Sequence, residues 1–110
     1  ASGQSQFTLG TLKAAKKTKT LSVGISNNTN SLLANSCDLF MPILTGAEIL
    51  AGSTRLNAGT SQKVCLNIIS TLVMAKLGNV QNGLMVNMIP SNKKLKKRKK
   101  LIKEHLKNMC

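Results

Sequence analysis

The residues best suited to chemistry lie between Gly46 and Gln62. A carboxylate, Glu48, precedes a Gly52-Ser53-Thr54-Arg55 turn, and the turn leads into a long apolar run that starts near Ala58. Backbone N–H groups, two hydroxyls and a guanidinium gathered at a helix start suit an anionic sugar ligand. The chain has only three acidic residues, which gives weight to the placement of Glu48 beside this turn. A second polar cluster, Ser2, Gly3 and Ser5, stands just before a helical pattern that opens at Gln6. Hydroxyls there serve equally as ligand donors or as ordinary N-cap groups.

Other reactive types are poorly placed. Cys37, Cys65 and Cys110 form no C-x-x-C pair, so neither a disulfide framework nor a zinc site is expected. Cys37 and Cys65 sit among apolar residues and read as small core hydrophobes. His105 lies within a lysine-rich stretch without a ligand partner nearby, which makes it a surface residue. No cofactor is implied.

Composition bounds the rest. With 110 residues there is room for one small domain. Phe7 and Phe40 are the only aromatic residues, so the core must be built from Leu, Ile, Val, Met and Ala. The formal charge of +13 is concentrated: nine of the sixteen Lys and Arg lie between Lys93 and Lys107, and four between Lys13 and Lys19. Such asymmetry marks either a basic segment for anionic partners or a solvated helix face. No aromatics interleave with the lysines to stack on bases, so a solvated face is expected and nucleic acid is not an expected partner. No apolar run is long enough to cross a bilayer. The N-terminus lacks the charged-then-apolar pattern of a signal peptide, and a cytoplasmic location is expected.

The elements that must position these residues follow from local pattern. Gln6 to Lys17 reads as a helix with Phe7, Leu9, Leu12 and Ala15 inward. Leu21 to Ser26 reads as a strand, Asn27 to Asn30 as turn chemistry, and Asn30 or Ser31 as the cap of a short helix through Ser36. Asp38 to Ile43 is a second strand. Ala58 to Leu77 is the strongest helix, apolar enough to be buried on most sides, and Gly78 is its expected C′ residue. A loop through Pro90 follows, with Ser91 capping a final lysine-bearing helix. Alternating helices and strands predict parallel strands joined by helical crossovers in an α/β layer. Two strands are too few for a covered parallel sheet, so further partners are expected from another copy or from sequence beyond this chain.

Five blocks in order resemble the sugar isomerase (SIS) domain of the N-acetylmuramic acid 6-phosphate etherase family, which is related to glucokinase regulatory protein. Ala1-Ser2-Gly3 resembles the family loop that follows a sheet strand. Val23 to Asn28 resembles its next strand and turn. The stretch Gly52 to Lys63 resembles the signature Gly-Ser-Thr-Arg-Leu-Lys-Ala-Gly-Thr-Ala-Gln-Lys. Leu66 to Thr71 and Leu84 to Asn87 resemble later blocks. The chain departs from the family at Gln4, at Gln6-Phe7, at Ala47 in a Gly-Pro-Glu, and at Asn87 in a Met-Val-Asp.

The resemblance implies a partial SIS-type, flavodoxin-like parallel sheet with flanking helices. Residues 1–89 would be the C-terminal half of that domain, and residues 90–110 the start of a basic helical region. The implied activity is removal of D-lactate from the sugar's ether by elimination and hydration, in cell-wall amino-sugar recycling. The implied ligand is a sugar 6-phosphate, contacted by Ser2, Gly3, Ser5, Glu48, Ser53, Thr54 and Arg55. For Arg55 two roles stand open: pairing with phosphate, or holding Glu48 and a neighbouring subunit. The family's catalytic glutamates fall in the half not present here, so this chain carries no catalytic residue of its own. The full-length protein is expected to be a homodimer. The alternative is a non-catalytic sugar-phosphate sensor of the regulatory-protein type.

Overall fold

Seven elements order the chain in the computed structural model, which describes residues 1–108. They are α1 (Gln6–Lys17), β1 (Val23–Ser26), β2 (Leu39–Pro42), α2 (Asn57–Lys76), β3 (Val80–Gln81), β4 (Leu84–Met85) and α3 (Lys93–Lys107). The architecture is α/β, with a two-stranded parallel sheet (β1 and β2) and a two-stranded antiparallel one (β3 and β4). The backbone divides into two compact units, Ala1–Leu66 and the residues from Asn67 onward. Cys110 lies outside the described residues.

In the first unit β1 and β2 pair in parallel, with Val23 opposite Leu39 and Ser26 opposite Pro42. The register is set at the strand starts by Ser22 and Asp38. The Asp38 carboxylate accepts from both the hydroxyl and the backbone N–H of Ser22 (2.8 Å to the amide). In return the Asp38 and Leu39 amides donate to Ser22 O at 3.2 and 3.1 Å. Because the strands start level they also end level, so Asn27 and Ile43 emerge side by side. The connection between them is not the short helix expected for residues 31–36. It is a run of turns in which buried Ser31 accepts from the Ala34 amide at 3.2 Å. Ser favours such local hydroxyl-to-backbone bonds over helix propagation. This crossover lies against β1 at Gly24, where a Cβ would come within 2.6 Å of Cys37 Sγ and 3.1 Å of Leu33.

The core of this unit is small: Leu12, Leu33 and Ala58, together with buried Ser22, Ser26 and Ser31. Helix α1 turns Leu12 inward and leaves Leu9 and Ala15 half-buried, but Phe7, expected inside, is 82% exposed. The expectation that α2 is buried on most sides also fails within this chain. Only Ala58 of that helix is buried, and Val64, Leu66, Ile68, Leu72, Val73 and Met74 stay exposed. The described elements are too few and too short to cover a helix apolar on nearly every side.

In the second unit α2 ends as the sequence predicts. Gly78 takes φ +74°, its amide bonds Ala75 O and the Asn79 amide bonds Met74 O, the paired bonds of a Schellman cap. The segment expected to be a plain loop contains the β3–β4 hairpin, turning at Asn82-Gly83 with φ of +50° and +74°. Two successive positive φ values match the twist of a tight hairpin, and Asn-Gly is the dipeptide that adopts them most readily. Asn92, not Ser91, caps α3: its Oδ1 accepts from the Leu95 amide at 2.9 Å. Helix α3 turns Ile102 inward, half-buries Leu95, Lys99 and Leu106, and leaves its other lysines exposed. Among the described residues the only ion pair is Lys100–Glu104 at 3.9 Å. None of the helices is long and apolar enough to cross a membrane among the described residues.

Two outcomes test this description. The Ser22 hydroxyl, then its backbone N–H, and more weakly the charge of Lys16 hold the Asp38 carboxyl below its ordinary value. A depressed carboxylate contributes stability above its unfolded pKa of about 3.9, and the contribution disappears as pH falls through the folded value. Ser22→Ala is expected to move the Asp38 carboxyl titration upward by NMR and to start acid unfolding at higher pH. For α3, any contact with RNA or DNA is expected to be weak and indifferent to sequence. It should fade between about 50 and 200 mM salt, since phosphate contacts release counterions. Sequence-selective binding that survives 200 mM salt would contradict the solvated-face description.

Candidate functional site

The level carboxyl ends of β1 and β2 open onto a cavity of about 230 Å³. It is lined by Ser2, Asn27, Asn28, Thr45, Glu48 and Thr54 among others. Ligands in open parallel sheets lie beyond the carboxyl ends of the strands, and the geometry here follows from three local arrangements.

The first is the seating of residues 1–3 beside β1. Asn27 N and Ser26 Oγ both donate to Ala1 O at 2.9 Å, and Leu33 N donates to Gly3 O at 3.1 Å. Gly3 has φ +68°, and a Cβ there would lie 2.5 Å from Ser31 Cβ and 2.8 Å from Ser26 Oγ. No other residue fits this position without moving buried Ser31. The segment then enters α1 at Ser5, an extended N-cap whose hydroxyl makes no capping bond. The first bonded amide of α1 is that of Leu9, to Ser5 O at 3.0 Å, so the start of α1 is open.

The second arrangement is the closure of the loop after β2 onto α2. Glu48 reaches the helix start with both oxygens: Oε2 accepts from Asn57 N at 2.8 Å and Oε1 from Ala58 N at 2.9 Å. Asn57 Nδ2 adds a bond to Ala47 O at 3.3 Å. Inside this loop Ser53 N donates to Leu50 O, Thr54 N to Gly52 O and Leu56 N to Ser53 O. Gly59 then comes so close to Thr54 O that a Cβ would sit 3.2 Å from it, the close-packing role its type suggests.

The third is Asn27, which the sequence marks only as turn chemistry. Its Nδ2 donates to Ile43 O at 2.8 Å and Ser61 Oγ at 2.9 Å, with Thr45 Oγ1 at 3.4 Å. One amide thus ties the end of β1 to the loop after β2 and to α2. The sequence signal that finds it is an Asn pair directly after a strand, at the end where such sheets bind ligands.

The residues singled out from sequence separate into two groups. Ser2, Glu48 and Thr54 line the cavity. Gly3 packs against Ser31, Ser5 starts α1, Ser53 shapes the turn, and Arg55 is exposed; none of these four lines it. The alternative in which Arg55 holds Glu48 is not what is seen. Glu48 is held by the α2 amides, and among the described residues Arg55 has no ion pair. The idea that open N–H groups at this helix start await an anion is corrected for the same reason, because an internal carboxylate fills them. No group of three or more His, Cys, Asp or Glu able to hold a metal occurs among the described residues.

The fold and cavity define an α/β unit with a polar site at the carboxyl ends of parallel strands. Over nearly all of its length, the chain is similar in sequence to proteins named N-acetylmuramic acid 6-phosphate etherase. That of Clostridium acetobutylicum is 47% identical over 105 residues, covering 96% of this chain and 35% of that protein. That of Rubrobacter xylanophilus is 44% identical over 94% of this chain and 35% of its own length. N-acetylmuramic acid 6-phosphate etherase 1 of Bacillus licheniformis is 44% identical over 89% of this chain and 32% of its own length. The chain therefore spans about a third of the length of these curated relatives. No protein-family model matches it.

Replacing Glu48 by Ala removes both bonds at the α2 start. The expected loss is about 1–2 kcal/mol of folding stability, the range for a strong helix cap with a charged acceptor. Urea unfolding of the chain measures it. A change below about 0.3 kcal/mol would mean that the cap is not formed in solution.

Proposed function

We propose that this chain is part of an N-acetylmuramic acid 6-phosphate etherase, supplying a sugar-phosphate-binding portion of its SIS-type domain. The observation that carries the reading is 47% identity to a named etherase across 96% of the chain. The complete enzyme would cleave the D-lactyl ether to give N-acetylglucosamine 6-phosphate and D-lactate. It would do so in the cytoplasm, as a homodimer, in amino-sugar recycling.

The geometry supports a division of labour within this portion. Ser2, Gly3 and Ser5 lead into α1, whose first amides are unbonded, and a helix start of this kind suits phosphate. Glu48 and Thr54 line the cavity with Ser2 and suit the sugar. Ser53 and Arg55 belong to the turn beside it and would complete the rim on ligand closure. Proton abstraction beside a carbonyl and protonation of the departing oxygen need positioned acid and base groups. Among the cavity-lining residues Glu48 is the only carboxylate, and it is committed to α2. The acid and base would come from the remainder of the protein.

The test is D-lactate release from N-acetylmuramic acid 6-phosphate. The complete protein is expected to release it, and the isolated 110-residue chain is not. Release by the chain alone would overturn the assignment of roles, and no release by the complete protein would overturn the etherase reading.

A further inference from the structure

The cavity wall supplied by the loop after β2 has no backbone support of its own. Residues 44–49 make no backbone–backbone hydrogen bond with any described residue. Burial does not hold them either: Leu44, Ile49 and Leu50 are exposed, and a Cβ added at Gly46 would meet open space. Yet Thr45, Gly46 and Glu48 line the cavity. A segment with so few bonds and so little burial moves freely unless side chains tie it down.

Three side chains do this. The Glu48 carboxylate grips the amides of Asn57 and Ala58. The side-chain nitrogen of Asn57 donates to Ala47 O at 3.3 Å. Asn27 Nδ2 gives one hydrogen to Ile43 O at 2.8 Å, where the loop begins, and the other to Ser61 Oγ at 2.9 Å, with Thr45 Oγ1 farther off at 3.4 Å. Ser61 is already turned for this contact. Its own hydrogen goes to Ala58 O at 2.8 Å, which leaves its oxygen facing Asn27 as an acceptor. An amide held at both hydrogens resists swinging about its Cβ–Cγ bond, so Ser61 sets the direction in which Asn27 holds Ile43. Neither Ser61 nor Asn57 lines the cavity.

We propose that Ser61 and Asn57 are positioning residues of the site. From α2, Ser61 through Asn27 and Asn57 through Ala47, they keep the Thr45–Glu48 wall formed before a ligand arrives. This rests on the sugar-phosphate reading above and adds a source of affinity that lies outside the cavity. A wall already in place spares the ligand the cost of ordering it. Ser61 carries the larger share, because its bond to Asn27 is part-buried and short, whereas the Asn57 bond is exposed and long.

The experiment compares the complete protein with Ser61→Ala, with Asn57→Ala and with the double variant. Alanine is the best helix former, and Glu48 caps α2 through backbone amides, so the cap survives each substitution. Backbone amide relaxation by NMR on the ligand-free protein is expected to show added motion at Thr45 to Glu48 and none at Val23 to Ser26. For D-lactate release from N-acetylmuramic acid 6-phosphate, KM is expected to rise roughly three- to ten-fold in Ser61→Ala, the effect of losing one neutral hydrogen bond. The double variant should raise it about two-fold further. The kcat should hold, as it does when binding common to ground and transition states is lost. If the double variant folds poorly, the single variants decide. Unchanged motion, unchanged KM, or a fall in kcat at constant KM would each overturn the proposal, and D-lactate release by the unaltered protein would leave the etherase reading standing. No release by the unaltered protein would end that reading and the proposal with it.

Discussion

A carboxylate folded back onto the start of α2 is the contact on which the site depends. Glu48 donates no shape of its own to the cavity until its oxygens are fixed by the Asn57 and Ala58 amides. Once they are, the loop that follows β2 is closed onto the helix and Thr54 is brought to the same wall. The contact replaces the usual Ser, Thr, Asp or Asn immediately before a helix with a charge arriving from nine and ten residues upstream. A negative group there also complements the positive end of the helix dipole. Its reach is made possible by Gly46 and Gly52, whose φ values of +71° and +76° turn the chain in a way other residues resist.

Much of the framework was legible from residue pattern because it is local. Helix α1 has the limits its sequence suggests, and Gly78 ends α2 with the bonds its type predicts. The parallel pairing of the two strands also follows from the order of elements. The departures are places where a short-range hydrogen bond competes with a longer pattern. Ser31 satisfies the Ala34 amide and leaves turns in place of a helix, and Asn92 outcompetes Ser91 as the α3 cap. The β3–β4 hairpin was announced by Asn82-Gly83, yet its strands are two residues each, too short for periodicity to register.

The site was less legible than the fold. Residue types pointed to Ser2, Glu48 and Thr54, which line the cavity, but equally to Ser53 and Arg55, which do not. A run such as Gly52 to Arg55 carries its donors on successive residues, and a tight turn sends successive side chains in different directions. Asn27 escaped notice for the opposite reason. Its partners, Ile43, Thr45 and Ser61, are 16 to 34 positions away, a separation that no local pattern encodes.

The uncovered apolar surface of α2 has a consequence for the chain as a solute. Val64, Ile68, Leu72 and Val73 present a face that would adhere to the same face on another copy. The formal charge of +13 opposes such contact, because molecules of strong like charge repel before short-range apolar attraction is felt. That barrier reaches only about 10 Å at 0.1 M salt and about 3 Å at 1 M. The lysines of α3 contribute much of this repulsion, so the force that keeps the apolar faces of two copies apart weakens as ionic strength rises.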